Sequence, residues 1–336
     1  MEKEGVAVSN EPEYNKLTPL MCARLAAPHT WPGPSVLTTV FGGVYAASQG
    51  YGFDPLIWCV LLLCAVAAQS AVNTLNDWAD YRAGTDTIEN SDDPTDAVLV
   101  YDHPNPRHVL WLGIAYMGVA LIAGLAATAW SGSALPLLLG AAGAVFVVCY
   151  SSGKLPVSYL PIGEAVSGVV MGGLIPLADI IIFAAHANGS GLFDFGIMTP
   201  LGWLNAVVAT APFVLGVGLV MATQNCCDIE RDAPIGRKTA AVLLGRERFR
   251  VLYRACTLLW VACMLHLVFW GFGAAALWPA CVCLVLGVGT LRSVLTTPLV
   301  HEVRGPSMGA VNKANLFVNG AFILAVLVSL APALQL

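Results

Sequence analysis

Charge is what this sequence has least of. Only 11% of its 336 residues are Asp, Glu, Lys or Arg, against about 25% in an ordinary soluble domain. Sixteen basic residues are too few for a nucleic-acid binder, and 57% apolar residues exclude a disordered chain. The alternation of apolar and polar residues that a β-barrel needs is also missing, because the apolar runs are unbroken. No apolar core of signal-peptide type occurs near the start: MEKEGVAVSNEPEYNK is polar and mixed in charge. Residues 1–24 are therefore read as a short cytoplasmic tail. Ten cysteines do not amount to a disulfide framework. Cys59, Cys64, Cys149, Cys263, Cys281 and Cys283 lie in apolar runs and read as small buried hydrophobes.

What is there is a succession of long apolar segments. Nine are drawn, at roughly 33–53, 55–76, 107–130, 133–150, 161–186, 201–225, 250–271, 273–296 and 313–335. Each is near the ~20 residues that cross ~30 Å of hydrocarbon. The expected fold is an all-α integral membrane protein with nine transmembrane helices, residues 25–336 forming one domain in the lipid bilayer. Net charge is −5, but the placement of charge is more informative. With the N-terminus inside, all sixteen basic residues, from Lys3 to Lys313, fall on the cytoplasmic side. The connections near 50, 131, 187–200 and 272 hold none. That partition predicts N-in/C-out topology in the cell (plasma) membrane.

The two longest cytoplasmic connections, about 77–106 and 226–249, hold most of the acidic residues. Helical spacing puts Asn73, Asn76, Asp77 and Asp80 on one face where the second segment ends. Asn225, Asp228 and Asp232 read as a matching stripe ending the sixth, with Gln224 alongside. Two matched clusters, four segments apart, hint at a repeat. Carboxylates at membrane depth are costly and repel one another, so cations should occupy such a site. Carboxylate and amide oxygens suit Mg²⁺, which shares its shell with phosphates. Two Asp-rich faces can then hold a diphosphate, with Arg82, Lys154, Arg237 and Lys238 as candidate partners for its oxygens. The lipid-soluble molecule that carries such a head is a polyprenyl diphosphate.

At these residues the chain resembles the UbiA superfamily of intramembrane prenyltransferases. Asn76-Asp77-x-x-Asp80-x-x-x-Gly84-x-Asp86 is similar to the first motif of its menaquinone branch, which prenylates 1,4-dihydroxy-2-naphthoate. Asn225-x-x-Asp228-x-x-x-Asp232-x-x-x-Gly236-Arg237-Lys238-Thr239 is similar to the second. Tyr150-Ser151-Ser152-Gly153-Lys154-Leu155-Pro156, Gly163-Glu164 and Ala27-Pro28-His29-Thr30-Trp31-Pro32 also fit. The chain departs from that branch at Ala27, Cys227 and Asp96, where it usually carries Arg.

The resemblance implies a nine-helix bundle and Mg²⁺-dependent prenyl transfer. Asp77, Asp80, Asp228 and Asp232 would bridge the diphosphate through Mg²⁺, with Asn76 and Asn225 completing the shells. Asp86 would bind metal or only cap its loop, and Asn73 would stand on the substrate side. The electron-rich ring of an aromatic, naphthoate-like acceptor would attack the allylic cation. Trp78, Tyr81, Tyr150 or Tyr159 would stabilise that cation, or serve only as interfacial anchors. Arg24 and Lys154 are the cations available to an acceptor carboxylate. His29 is an acceptor-side candidate or an interfacial histidine. Asp179 is an intramembrane acid that could lie near the outer rim. Cys226 and Cys227 are adjacent on a helix and point apart, which implies no redox role. The rival readings are a different aromatic or lipid acceptor, a non-catalytic homologue, and a transporter using intramembrane carboxylates as ion sites.

Overall fold

The computed structural model describes residues 14–88, 97–151, 156–189 and 191–330. Lys154 and Asp96 lie outside the described residues. The fold is all-helical. The helices are α1 (Pro19–Ala26), α2 (Thr38–Ser48), α3 (Pro55–Ala83), α4 (Pro106–Ser131), α5 (Leu135–Ser151), α6 (Gly163–Asn188), α7 (Pro200–Cys227), α8 (Arg246–Phe272), α9 (Ala274–Leu286 and Val288–Thr296, bent by 59°) and α10 (Arg304–Leu330).

Local chemistry sets the starts and stops. Asp54, Asn105 and Thr199 each precede a proline and accept backbone N–H groups of the first turns of α3, α4 and α7. Gly84, at φ +75°, closes α3 in the left-handed conformation that a side chain would resist.

Each of the nine expected segments falls on a helix, and the molecule is an integral, multi-pass membrane protein. Among the described residues, six helices are long and apolar enough to span a bilayer, and the bent α9 would make a seventh. The other two expected spans are short. Helix α5 has 17 residues, or ~26 Å at 1.5 Å per residue. Helix α2 has 11, because Pro32 and Pro34 withhold N–H groups and the stretch Pro32–Leu37 winds as a wide π turn.

The bundle closes on close backbone contact and polar glue rather than on hydrophobicity, which lipid does not supply. A Cβ at Gly168 or Gly172 of α6 would strike the carbonyls of Val214 and Phe213 of α7. Phe41 of α2 meets Phe213 of α7 and Phe322 of α10 with ring centroids at 4.5 and 5.1 Å. Asn315 and Asn319 of α10 are fully buried. Asn315 Nδ2 donates to the Gly216 carbonyl at 3.1 Å, and Asn319 Oδ1 accepts from Trp260 Nε1 at 3.0 Å. Together they fasten α7, α8 and α10.

Three sequence expectations change. Residues 14–24 are built into the fold: Asn15 donates to the His103 carbonyl at 2.9 Å, and α1 begins at Pro19. Cys59, Cys149 and Cys281 are exposed rather than buried, on faces whose neighbours are apolar. Asp179 lies nine residues inside the C-terminal end of α6, ~14 Å from it. It is 4% exposed and packs on Gly42, where a Cβ would sit 2.6 Å from its own.

Candidate active site

The first acidic cluster is the end of α3. Asn76 Nδ2 donates to Asp80 Oδ2 at 3.0 Å, the i,i+4 contact that the spacing predicts. Beyond Gly84 the chain turns back. The N–H groups of Thr85 and Asp86 return to the Asp80 carbonyl at 3.0 and 3.4 Å, which brings Asp86 to the helix end. Asp77 and Asp86 are half-buried there, and Arg82 is exposed on the last turn. Asn73 looks the other way. Its Nδ2 donates to Ala26 O and Thr30 Oγ1, both at 3.0 Å, so it ties α3 to the start of the chain.

The second cluster is not one stripe. Helix α7 ends at Cys227, Asp228 caps it, and Ile229–Asp232 forms a separate turn. The break sends the three side chains to different partners. Asn225 Nδ2 donates to Glu164 Oε1 at 3.0 Å. Asp228 meets His301 Nδ1 at 3.4 Å and Arg304 Nε at 3.1 Å. Asp232 is 4% exposed and accepts from an Arg237 terminal nitrogen at 3.1 Å. Cys226 and Cys227 are fully buried beneath this turn, and both are free thiols.

Arg237 joins the two clusters. Besides its bond to Asp232, its guanidinium is within electrostatic reach of Asp80 at the end of α3. It also lies over the Tyr159 ring, 5.4 Å from the centroid. The neighbouring Lys238 N–H donates to the Tyr159 carbonyl at 3.0 Å, and the Lys238 side chain is exposed. Burial pushes the Asp232 carboxyl above the ordinary carboxylate range, against the pull of Arg237. Burial acts to lower the Arg237 guanidinium, but Asp232 and Asp80 outweigh it and hold the group above its usual value. Glu230, two residues away from Asp232, is the opposite case. Hydrogen bonds from Arg246 at 2.7 Å hold its carboxyl below the ordinary range.

The remaining expected residues divide. Tyr159 stands at the site. Trp78 and Tyr81 pack instead on Leu25, Val98, Leu99 and Val109. Tyr150 belongs to α5, and its side chain lies outside the described residues, as does Lys154. Arg24 forms an ion pair with Asp102 at 2.7 Å, and His29 is exposed. Sequence reasoning missed Arg304 and His301, which entered only as charge or not at all, and gave Glu164 no partner. The contacts that make them part of the site cross 61 to 76 residues of chain, and no local pattern announces them.

Among the described residues no three His, Cys, Asp or Glu side chains converge on one point. The donors are carboxylate and amide oxygens in small sets at two helix ends. That fits Mg²⁺, which keeps several waters and takes the rest of its shell from phosphate oxygens. Arg237 Nε is buried and has no hydrogen-bond partner among the described residues, so the site retains a donor for an anion.

Comparison with known proteins identifies the family and the fold. Residues 35–297 match the UbiA prenyltransferase family. The 1,4-dihydroxy-2-naphthoate octaprenyltransferase of Bacillus subtilis is 29% identical over 227 residues, which is 67% of this chain and 66% of that protein. The chain therefore spans just under two thirds of that relative's length. Among solved structures, the apo form of a UbiA homologue from Aeropyrum pernix superposes with a TM-score of 0.64 at 17% identity, covering 86% of this chain and 96% of that one. A UbiA homologue from Archaeoglobus fulgidus bound to DMAPP and Mg²⁺ superposes with a TM-score of 0.53 at 12% identity, covering 92% and 99%.

Proposed function

The chain belongs to the UbiA prenyltransferase family, and from that premise we propose that it transfers a polyprenyl chain from polyprenyl diphosphate to an aromatic acceptor. The acceptor proposed is 1,4-dihydroxy-2-naphthoate or a ring like it, as the name of the Bacillus relative suggests, and the reaction proposed is a step of menaquinone biosynthesis. The observation that carries the reading is Arg237, which binds Asp232 and reaches Asp80. One cation thus stands between acids that belong to the ends of two different helices. A transporter's midplane ion site would not be built that way.

Asp77, Asp80, Asp228 and Asp232 would hold Mg²⁺, with Asn76, Asn225 and Asp86 completing the set. When bound, Mg²⁺ neutralises the diphosphate that departs as the allylic C–O bond opens; the Archaeoglobus neighbour's DMAPP and Mg²⁺ support this. Arg237 binds a diphosphate oxygen through the N–H it has to spare, and its exposed neighbour Lys238 and Arg82 supply further charge. The Tyr159 ring, already engaged by a guanidinium, faces positive charge as it develops on the allyl group. The acceptor ring attacks that carbon and then loses a proton. Arg24 and Lys154 remain the cations proposed for the acceptor carboxylate. Residues 25–336 act as one domain with nine spans, N-in/C-out in the cell membrane, and the site faces the cytoplasm.

The test offers the purified protein naphthoate, 4-hydroxybenzoate and homogentisate with several prenyl diphosphates and Mg²⁺. Prenylation of the naphthoate is expected. Prenylation of a monocyclic acid with the naphthoate untouched would refute the acceptor. No diphosphate release with any pair would favour a non-catalytic homologue.

A further inference from the structure

We propose that Arg304 is a third-limb substrate residue: it neutralises Asp228 in the empty site and passes to a diphosphate oxygen when the site fills. The inference rests on the prenyl diphosphate reading above. Residues 301 and 304 lie beyond the stretch that matches the family, which ends at 297.

The connection between α9 and α10 is held in an uncommon backbone conformation. Leu299 there has φ +53°, a left-handed conformation uncommon for a residue with a side chain. Such a conformation persists only where the surroundings over-determine it, and here they do. The Leu299 side chain is fully buried. Its carbonyl accepts from Arg246 Nε at 2.8 Å. The Thr297 and Ser307 hydroxyls bond each other at 2.7 Å across the turn. Arg246 is fixed in its turn by both oxygens of Glu230 at 2.7 Å and by the Cys226 carbonyl at 3.3 Å. Glu230 lies between Asp228 and Asp232, so the connection is fastened to the very turn that carries the second cluster.

The consequence is a fixed presentation of two donors. His301 Nδ1 and Arg304 Nε each take one oxygen of Asp228. Arg304 is also close enough to Asp232 to interact with its charge. A carboxylate whose two oxygens each accept one such contact has only the second lone pair of each left for a metal. Ligation by Asp228 would draw charge from those oxygens and loosen their hold on the two donors. The freed guanidinium is then anchored, charged and adjacent to the phosphate oxygens that complete the metal's shell. The Arg304 fork suits a phosphate, and its side chain is 33% exposed, so it can swing without unpacking α10.

Isothermal titration of the purified full chain with inorganic pyrophosphate in Mg²⁺ tests this, beside Mn²⁺ binding alone followed by electron paramagnetic resonance. Arg304→Gln should weaken pyrophosphate binding about tenfold or more, while Mn²⁺ alone binds as well as before or better. Arg304→Lys, which keeps the charge without the fork, should fall between and guards against a folding defect. If both variants bind pyrophosphate like the wild type while Asp228→Asn loses it, Arg304 is an ion pair of the fold only, and the site reading stands. If the wild type itself shows no Mg²⁺-dependent pyrophosphate binding, the reading and the proposal fall together.

Discussion

The two acidic clusters carry the same residue types but are held in different ways. At the end of α3, Asn76 and Asp80 are four residues apart and bond to each other along one helix. At the end of α7 the helix breaks at Asp228, and Asp232 and Asp228 find partners off the helix: Arg237, five residues on, for Asp232, and His301 and Arg304, 73 and 76 residues on, for Asp228. The first cluster is a local object and the second is a tertiary one. The difference teaches that like motifs do not imply like mechanics. The first limb can form as soon as its helix forms, whereas the second exists only when α10 and the 232–238 loop have docked.

Removing either limb should have the largest effect. Asp77→Ala and Asp228→Ala should each lower turnover by at least about a hundredfold with normal folding, and EDTA should reproduce the loss, since charge opposite the leaving group is worth that much. Near-normal activity in either variant would break the symmetry of the account. Arg237→Gln comes next. It strips the nearly buried Asp232 of its cation, so unfolding of metal-free protein should show a loss of about 3 kcal/mol, with a raised KM for the prenyl diphosphate. By contrast, Asn76→Ala removes the hydrogen bond to Asp80 at a partly exposed helix end, and that contact should be worth about 1 kcal/mol. If the two losses were equal, the local and tertiary distinction would be wrong.

This asymmetry also explains what could be read in the sequence. Unbroken apolar runs made the helices legible. So did the 76/80 spacing for the first cluster. The short α2 was not legible, because the cost of Pro32 and Pro34 to a helix depends on whether a π turn can absorb them. Asn225, Asp228 and Asp232 share a periodic spacing, yet the helix ends before the period is used. Arg304 counted only as one of the basic residues assigned to the cytoplasmic side, and its contact with Asp228 spans 76 residues. Trp78 and Tyr81 were drawn toward the reaction by sequence proximity to Asp77, and the fold spends them on packing α3 against Leu25 and Val109.

The smallest effects concern pH, and they have opposite signs at neighbouring carboxylates. Asp232 sits above the ordinary range, so metal-free stability should rise as pH falls through that raised value, and Asp232→Asn should abolish the rise. Glu230 sits below the range, so its contribution is present at neutral pH and is lost as pH falls through its depressed value. Denaturant titration of Asp232→Asn and Glu230→Gln beside the wild type in EDTA reads both slopes. Slopes of the same sign would contradict the assigned partners.

The central claim is that both clusters form one site around a diphosphate. Its most direct test is Mg²⁺-dependent binding of an unreactive prenyl thiodiphosphate to the full chain and to Asp80→Asn and Asp232→Asn, one variant per limb. The account predicts that each substitution alone weakens binding at least about tenfold, because each removes a charge-assisted contact to the same ligand. Binding that survives unchanged without one limb would contradict it.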